Sequence, residues 1–293
     1  MRDSGLAPHP VVQGFFDSAT STVSYIVHDP ATKAAAIIDP VLGFTARNAR
    51  TDTASADALL EAIQSQGLDL KCLLETHAHA DHLSAAHYLR EQTGVPVMIG
   101  KHITEVQTHF AKLFEADDVA CDGGAFDRLL DDGDVLPLGG LDIHVLHTPG
   151  HTLACVTYVM GDAAFVGDTV FMPDYGTARA DFPGGDATTL YRSIRRVLDL
   201  PPETRLFTGH DYPPASRSDP AWEASVAQHR RSNVHVHDGV SEAEFVAMRT
   251  KRDATLEAPA LILPALQVNI RAGEMPPASI GGHVYLRLPV NAI

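Results

Sequence analysis

The sequence predicts an α/β fold in which two similar halves pack into one layered sandwich, partly covered by a C-terminal extension. Strand-like and helix-like segments alternate along the chain, which is typical of this fold class. The alternation starts again near Leu141, close to the middle of the 293 residues, although no sequence repeat is visible. A hydrophobic fraction of 45% and a mean hydropathy of -0.03 are sufficient for one large core or two modest ones.

The first half begins with strands and continues as an alternating series. Val23 to Asp39 is expected to form two short strands around an Asp-Pro turn. Thr53 to Leu68 carries apolar residues at helical spacing, and Gly67 is a natural C-cap for that helix. A buried strand, a helix stopped by Gly94 and a further strand are then expected at 71–77, 83–94 and 95–100.

The second half repeats this order before the texture of the chain changes. Strands are expected at 141–150 and within 155–171, a helix at 188–200 and a last strand at 204–210. Beyond Pro213, a polar helical stretch is expected from Asp219 to Arg231, a helix from Ser241 to Leu256, and then a Pro-rich tail. We therefore expect a sandwich domain at residues 1–218 and an extension, residues 219–293, that packs on its core.

The composition argues against several classes of protein. A formal net charge of -15 without a basic run argues against a nucleic-acid partner. No apolar stretch approaches the roughly 20 residues needed to span a bilayer, and the first residues lack a signal-peptide pattern, so no membrane association and a cytoplasmic location are expected. Cys72, Cys121 and Cys155 are far apart and are interpreted as core thiols.

A dense cluster of potential metal ligands follows the strand predicted at 71–77. His77, His79, Asp81 and His82 fall within six consecutive positions. Side chains two apart at the end of a strand point the same way, so His77 and His79 can present their imidazoles to one point. Asp81 and His82 lie where the chain turns into the next helix, and they can face a neighbouring point.

Three other segments each offer a single ligand after a predicted strand. They are His151 in "HTPGHT", Asp168 in "FVGDTVF" and His210 in "FTGHDY". Each lies in a turn marked by glycine, and loops at strand ends are where α/β folds build their sites. The sequence therefore predicts that these residues join the histidine cluster.

The four motifs, in this order and at these separations, resemble the metallo-β-lactamase superfamily over roughly Val11 to Tyr212. The resemblance implies an αββα sandwich. It also implies a first metal site formed by His77, His79 and His151. The implied second site is formed by three further residues, with Asp168 able to bridge the two sites; these three are Asp81, His82 and His210.

Further features resemble the persulfide dioxygenase branch of that superfamily. They are "RADF" at 179–182, "TLYRSI" on the next helix, "GHDY" at 209–212 and "NIRAG" at 269–273. The resemblance implies a single Fe(II) held by His77, His151 and Asp168. The other four candidate ligands would surround this site; they are His79, Asp81, His82 and His210. The implied reaction oxidises the terminal sulfur of glutathione persulfide with O2 to sulfite and glutathione. Two imidazoles and one carboxylate leave positions on iron for both sulfur and dioxygen.

The resemblance also implies residues that bind the substrate. Glutathione carries two carboxylates, which arginine forks bind well. Arg179 and Arg271 are candidates by motif position, and Tyr212 is a candidate through its hydroxyl. The chain departs from human-type members of the branch, because "SNVHV" with His235 stands where they have an arginine. Coenzyme A persulfide or another low-molecular-weight persulfide therefore stays open as the substrate.

Two other classes of function remain open at this point. A binuclear zinc-type thioesterase, similar to the hydroxyacylglutathione hydrolases, or a lactonase would use all seven ligand residues at once. A non-catalytic sulfur or metal carrier is the weaker alternative. Metal content separates the first from the dioxygenase, since it predicts two zinc-like ions per chain and no oxygen uptake. A homodimer is expected for the dioxygenase.

Overall fold

Two six-stranded sheets form the centre of the protein in the computed structural model, which describes residues 9–292. The first sheet has the order β1-β2-β3-β6-β8-β9, and the second has the order β10-β11-β12-β13-β14-β15. The strands of the first are β1 Val11–Asp17, β2 Thr22–His28, β3 Ala34–Ile38, β6 Asp69–Leu74, β8 Val97–Gly100 and β9 Arg128–Leu130. Those of the second are β10 Val135–Leu138, β11 Leu141–His147, β12 Val156–Met160, β13 Ala163–Gly167, β14 Arg205–Thr208 and β15 Glu223–Ser225.

Three short strands form a small additional sheet, and seven helices complete these residues. The small sheet has the order β5-β4-β7, with β4 Val41–Thr45, β5 Arg50–Asp52 and β7 Leu83–Ser84. The helices are α1 Ala54–Ser65, α2 Ala86–Thr93, α3 Ile103–Phe114, α4 Ala187–Leu198, α5 Val226–Ser232, α6 Glu242–Asp253 and α7 Ile262–Asn269. None of the helices in residues 9–292 has the length and apolar character that crossing a bilayer requires.

The hydrophobic core is layered. Side chains of both large sheets, such as Val27 and Phe165, form one apolar cluster between them. A second cluster joins the outer face of the first sheet to α1, α2, α3 and α7, and a third joins the outer face of the second sheet to α4 and α6. The αββα architecture predicted from the sequence is therefore confirmed.

The helix α4 illustrates why the sequence forms these layers. Leu190, Ile194 and Val197 recur at helical spacing, and all three are buried on the second sheet. Asp186 precedes the helix, and its carboxylate accepts a hydrogen bond from the Thr189 N–H at 2.7 Å. This cap satisfies one of the backbone donors that a helix leaves unpaired at its start.

The residues after 218 extend the second sheet and pack against the helices on both sides of the sandwich. The strand β15 pairs with β14, so the polar stretch expected to be helical from Asp219 to Arg231 contains an edge strand followed by α5. The helix α6 packs on α4, and α7 packs beside α3 and β7. The helix α7 lies where a Pro-rich irregular tail was expected; Pro264 is compatible with it because the first helical turn needs no N–H from this residue.

Two predictions concern the chain outside the metal cluster. All three cysteines are free thiols; Cys72 and Cys155 are buried, and Cys121 is half-buried. Burial raises the pKa of the Cys72 thiol and of the Cys155 thiol to about 12, so both are inert core groups. The predicted lack of a signal peptide concerns residues 1–15, of which residues 1–8 lie outside the described part of the chain.

Candidate metal centre

The predicted ligands come together at one edge of the sandwich. They occupy the loops that follow β6, β11, β13 and β14. One ligand atom from each of His77, His151 and Asp168 lies within 4.8 Å of the others, and all three residues are buried. Asp168 Oδ2 is 3.9 Å from His77 Nε2 and 3.7 Å from His151 Nε2, a spacing that leaves room for an ion among them.

A second group lies beside this triad. It consists of His79, Asp81, His82 and His210, whose ligand atoms also lie within 4.8 Å of one another. Asp168 reaches both groups, because its other carboxylate oxygen, Oδ1, is 3.4 Å from His210 Nε2. The structure thus brings together all seven residues that the sequence selected.

Hydrogen bonds fix which nitrogen each triad histidine presents. The Thr76 hydroxyl donates its proton to Asp39 Oδ2 at 2.8 Å, so at 3.0 Å from His77 Nδ1 it accepts from that imidazole. His151 Nδ1 donates to the backbone carbonyl of Arg179 at 2.8 Å. Both rings therefore present an unprotonated Nε2, the atom that a metal ion binds.

His79 is held the opposite way round. Its Nε2 lies 3.1 Å from Asp39 Oδ1 and 3.3 Å from Glu75 Oε2. Ionised carboxylates only accept, so Nε2 carries a proton, and Nδ1 is the ring nitrogen without a hydrogen-bond partner. Burial opposes protonation of this ring, but the two carboxylates outweigh it and raise the pKa of His79 well above its usual value. His77 has no carboxylate at hydrogen-bonding distance among the described residues. Burial together with the neighbouring His79 and His151 lowers the pKa of His77 well below its usual value.

The unsatisfied atoms of the cluster match a metal site. Five buried atoms have no hydrogen-bond partner: His77 Nε2, His79 Nδ1, His82 Nε2, Asp168 Oδ1 and His210 Nε2. Buried polar atoms are nearly always paired, and leaving one unpaired costs about 1 to 3 kcal/mol. Nitrogen and carboxylate oxygen donors suit a transition metal ion, so these residues fit a metal ion.

Two glycines allow the ligand loops to approach closely. Gly150, before His151, has a φ of +130°, and a Cβ there would collide with the backbone of Leu190. Gly167, before Asp168, has a φ of +47°, and a Cβ would lie 2.5 Å from Thr76 Oγ1. Larger residues at either position would push a ligand loop away from the cluster.

A cavity of about 740 Å³ opens from the metal-binding cluster to the surface. Asp81, His151 and Asp168 lie on its wall, so the triad is reachable from solvent. The lining is mainly apolar and aromatic, and it also includes Phe171, Tyr175, Phe182 and Tyr212. Cavities of this size and character hold small organic molecules.

Two of the three predicted substrate-binding residues lie on this cavity. Tyr212 stacks on His210, with ring centroids 5.6 Å apart and an interplanar angle of 18°. Arg179 also lines the cavity, but both edges of its guanidinium are occupied. Its Nε and Nη2 donate to the Asp181 carboxylate at 2.5 and 2.7 Å, and its Nη1 donates to the Glu257 carbonyl at 2.7 Å.

Arg271 lies elsewhere. Its guanidinium is buried and donates twice to the Asp118 carboxylate, at 2.7 Å from both Nε and Nη2. It lines a separate cavity of about 300 Å³ beside α3, not the cavity that reaches the triad. His235 lies behind the wall of the larger cavity, where its Nδ1 accepts from the Thr177 N–H at 3.1 Å.

Two residues that support the cluster had not been selected from the sequence. Asn269, at the end of α7, donates to the carbonyls of His79 and His82 at 2.8 Å each, and accepts from the Ser84 N–H at 2.8 Å. The Thr22 hydroxyl lies 3.3 Å from His82 Nδ1 and 3.4 Å from His210 Nδ1. Asn269 belongs to the "NIRAG" motif, so the sequence did contain a signal for it. That motif had been used to select Arg271 and not Asn269.

Fold and site together define a metal-binding protein of the αββα class, with its ligands on the loops at one edge of the sheets. A family model described as the metallo-beta-lactamase superfamily matches residues 18–210. The chain belongs to that superfamily, as its motifs predicted.

Similar proteins carry different names. A protein of Burkholderia pseudomallei named "Probable metallo-hydrolase" is 54% identical, covering 96% of this chain and 99% of that protein. A "Beta-lactamase hydrolase-like protein" of Xylella fastidiosa is 51% identical over 97% of this chain, which spans only 65% of that longer protein. The mitochondrial persulfide dioxygenase ETHE1 of Homo sapiens is 31% identical, covering 69% of this chain and 68% of that protein. The crystal structure of ETHE1 from Myxococcus xanthus has a TM-score of 0.71 and 32% identity, covering 90% of this chain and 100% of that chain.

Proposed function

We propose that the protein is a non-haem Fe(II) persulfide dioxygenase with one iron per chain. The observation that carries the proposal is the buried triad of His77, His151 and Asp168, two imidazoles and one carboxylate with ligand atoms within 4.8 Å of one another. This donor set is typical of non-haem iron oxygenases. The similarity to persulfide dioxygenases in sequence and in fold supports the same assignment.

The proposed reaction converts a persulfide, O2 and water into a thiol and sulfite. His77, His151 and Asp168 would hold a ferrous ion, which would supply the redox chemistry with dioxygen that a zinc ion lacks. The chain contributes orientation, since the Arg179 carbonyl and the Thr76 hydroxyl hold the two triad imidazoles in place.

The second group of residues has a role in proton transfer under this proposal. Forming sulfite from a persulfide and water releases protons beside the triad. His210 Nε2 lies 3.2 Å from Asp81 Oδ2 and 3.4 Å from Asp168 Oδ1, and the charges of these two carboxylates favour a proton on this imidazole. Asp81 lines the cavity and therefore connects His210 to solvent.

The proposed substrate is glutathione persulfide or a related low-molecular-weight persulfide. The cavity of about 740 Å³ has the size that holds small organic ligands, and its mainly apolar wall can pack against the carbon chain of such a thiol. Arg179 and Tyr212 lie on that wall and remain candidates for contact with the peptide. The cytoplasmic location and the homodimer expected from the sequence remain predictions.

A binuclear hydrolase is the second candidate function. The observation in its favour is the second ligand group, which could hold another ion next to the triad with Asp168 between them. The names of the similar hydrolase-like proteins agree with it. Its substrate would be a thioester or a lactone, and the metal ions would lower the pKa of water so that it can act as the nucleophile.

Metal analysis combined with oxygen uptake tests the proposal. The protein is purified without added zinc, its metals are counted, and oxygen consumption is followed after glutathione persulfide is added. About one iron per chain with persulfide-dependent oxygen uptake is the expected result. Two zinc-like ions per chain, no oxygen uptake and hydrolysis of a glutathione thioester would contradict the dioxygenase and establish the hydrolase.

A further inference from the structure

An arginine that has no carboxylate partner among residues 9–292 stands at the outer end of the cavity. Arg252 is in the last turn of α6, is exposed, and lines the same cavity as His151 and Asp168. Within residues 9–292, no carboxylate oxygen lies within 4.0 Å of its guanidinium. Glu257 also lines the cavity, and it too is outside that distance from Arg252.

The other arginines of the cavity wall are already neutralised. Arg179 forms a two-point contact with the Asp181 carboxylate, at 2.5 and 2.7 Å. Arg249 is buried, and its Nε and Nη2 lie 2.8 and 2.6 Å from Asp253 Oδ1. A bound anion would have to displace a carboxylate from either of them, whereas Arg252 offers a free guanidinium fork.

A row of aromatic side chains connects Arg252 to the metal-binding cluster. The Arg252 Cζ lies 5.9 Å from the ring centroid of Tyr175. The Tyr175 ring lies 5.1 Å from that of Tyr212, which stacks on His210 at 5.6 Å. A ligand that lies along this wall with its sulfur near Asp168 therefore extends its far end toward Arg252.

We propose that Arg252 is a specificity-determining residue that binds a carboxylate on the thiol portion of the substrate. The ligand class is an organic, anionic, low-molecular-weight thiol whose acidic group is several bonds away from its reactive sulfur. Inorganic persulfide is too small to reach both ends of the cavity. This inference rests on the proposed function for the reacting sulfur, but it concerns the carrier, which a thioesterase would also have to bind.

Equilibrium binding to the metal-loaded protein tests the role of Arg252 without any turnover. The probes are S-methylglutathione and its dimethyl ester, in which both carboxylates are neutral, measured by isothermal titration calorimetry. Arg252→Ala should raise the Kd for S-methylglutathione roughly 10- to 100-fold, the scale of a lost charge-assisted contact, and leave the Kd for the ester unchanged. Arg252→Lys should recover part of the affinity, because it keeps the charge without the fork.

Arg231→Ala is the matched control, because Arg231 is exposed on α5 and does not line the cavity. It should bind both probes as the wild type does. The proposal is overturned if Arg252→Ala leaves the Kd for S-methylglutathione unchanged, if it weakens the ester equally, or if the wild type does not bind S-methylglutathione.

Oxygen uptake on glutathione persulfide, measured on the same samples, separates this inference from the proposed function. Weaker binding in Arg252→Ala together with no oxygen uptake in the wild type supports the anion site and contradicts the dioxygenase. Oxygen uptake by the wild type together with unchanged binding in Arg252→Ala supports the dioxygenase and contradicts the anion site. If both hold, the KM of Arg252→Ala should rise with little change in kcat, because the contact is remote from the reacting sulfur.

Discussion

At the scale of single residues, the site depends on which ring nitrogen of each imidazole makes a hydrogen bond to the protein and which is left for a metal ion. His77 and His151 give Nδ1 to a neighbour and keep Nε2 free, whereas His79 gives Nε2 to Asp39 and keeps Nδ1 free. The protein therefore fixes each ring before any ion binds, and an ion finds donors that need no reorientation. Asp168 belongs to the triad, and its Oδ1 also lies 3.4 Å from His210 of the second group, so the number of ions depends on how the remaining donors are used.

The triad predicts which substitutions remove the metal. Under the proposed function, His77→Ala, His151→Ala and Asp168→Ala should each lose the iron, because two protein ligands are too few to hold it. Elemental analysis of the purified variants measures this. His144→Ala is the control, since His144 is exposed on β11 and belongs to neither ligand group, and it should keep the wild-type content. Full iron content in any of the three variants would place the metal elsewhere.

His210 separates a one-ion site from a two-ion site. If His210 acts only in proton transfer, His210→Ala should keep most of the iron and lower turnover roughly 10- to 100-fold, the usual scale for a residue that supports a metal ligand. Metal content and oxygen uptake of the variant provide the readout. A stoichiometry that falls from two ions to one would exclude the mononuclear site.

At the scale of secondary structure elements, the C-terminal helix α7 holds the loop that carries four of the ligands. Asn269 ends this helix and makes three hydrogen bonds to the backbone of residues 79–84. Gly273, just beyond it, has a φ of +88°, and a Cβ there would lie 2.7 Å from the Ser84 carbonyl. The extension thus shapes the ligand loop and packs against it closely.

Asn269→Ala tests this contact. The change leaves the carbonyls of His79 and His82 and the Ser84 N–H without partners, so the free energy of unfolding should fall by about 1 to 3 kcal/mol. Metal affinity should fall as well, because the loop is no longer held in its binding shape. Chemical denaturation and metal titration measure the two effects. Asn48→Ala, an exposed asparagine between β4 and β5, should change neither; a normal metal affinity in Asn269→Ala would limit Asn269 to a stabilising role.

At the scale of the whole molecule, the sequence predicted the features that strand order determines, but not those that depend on contacts between distant segments. The candidate ligands His151, Asp168 and His210 could be selected because each follows a predicted strand. Asn269 lies 185 residues away from its partner Ser84 along the chain, and Thr22 lies 60 residues away from its partner His82. No local sequence pattern indicates such contacts. Arg271 had the expected motif position, but its side chain points to Asp118, since a motif does not specify the direction of a side chain.

Global stability should depend on pH through His229, a fully buried residue of α5. Its Nδ1 accepts from the Asn233 side-chain amide at 3.2 Å, and burial lowers its pKa from 6.5 to about 4. The folded protein therefore keeps this ring neutral, while the unfolded chain takes up a proton below about pH 6.5. Because the unfolded state binds more protons in this range, stability is lost as the pH falls from about 6.5 to 4.

His229→Gln isolates this contribution, because glutamine keeps an acceptor for Asn233 and does not titrate. Between pH 7 and pH 4.5, the free energy of unfolding of the wild type should fall by about 2 to 3 kcal/mol more than that of the variant. Urea denaturation at the two pH values measures the difference. Comparing the two proteins also cancels the protonation of the metal ligands, which both share. An equal loss of stability in both would show that His229 is not held neutral in the folded protein.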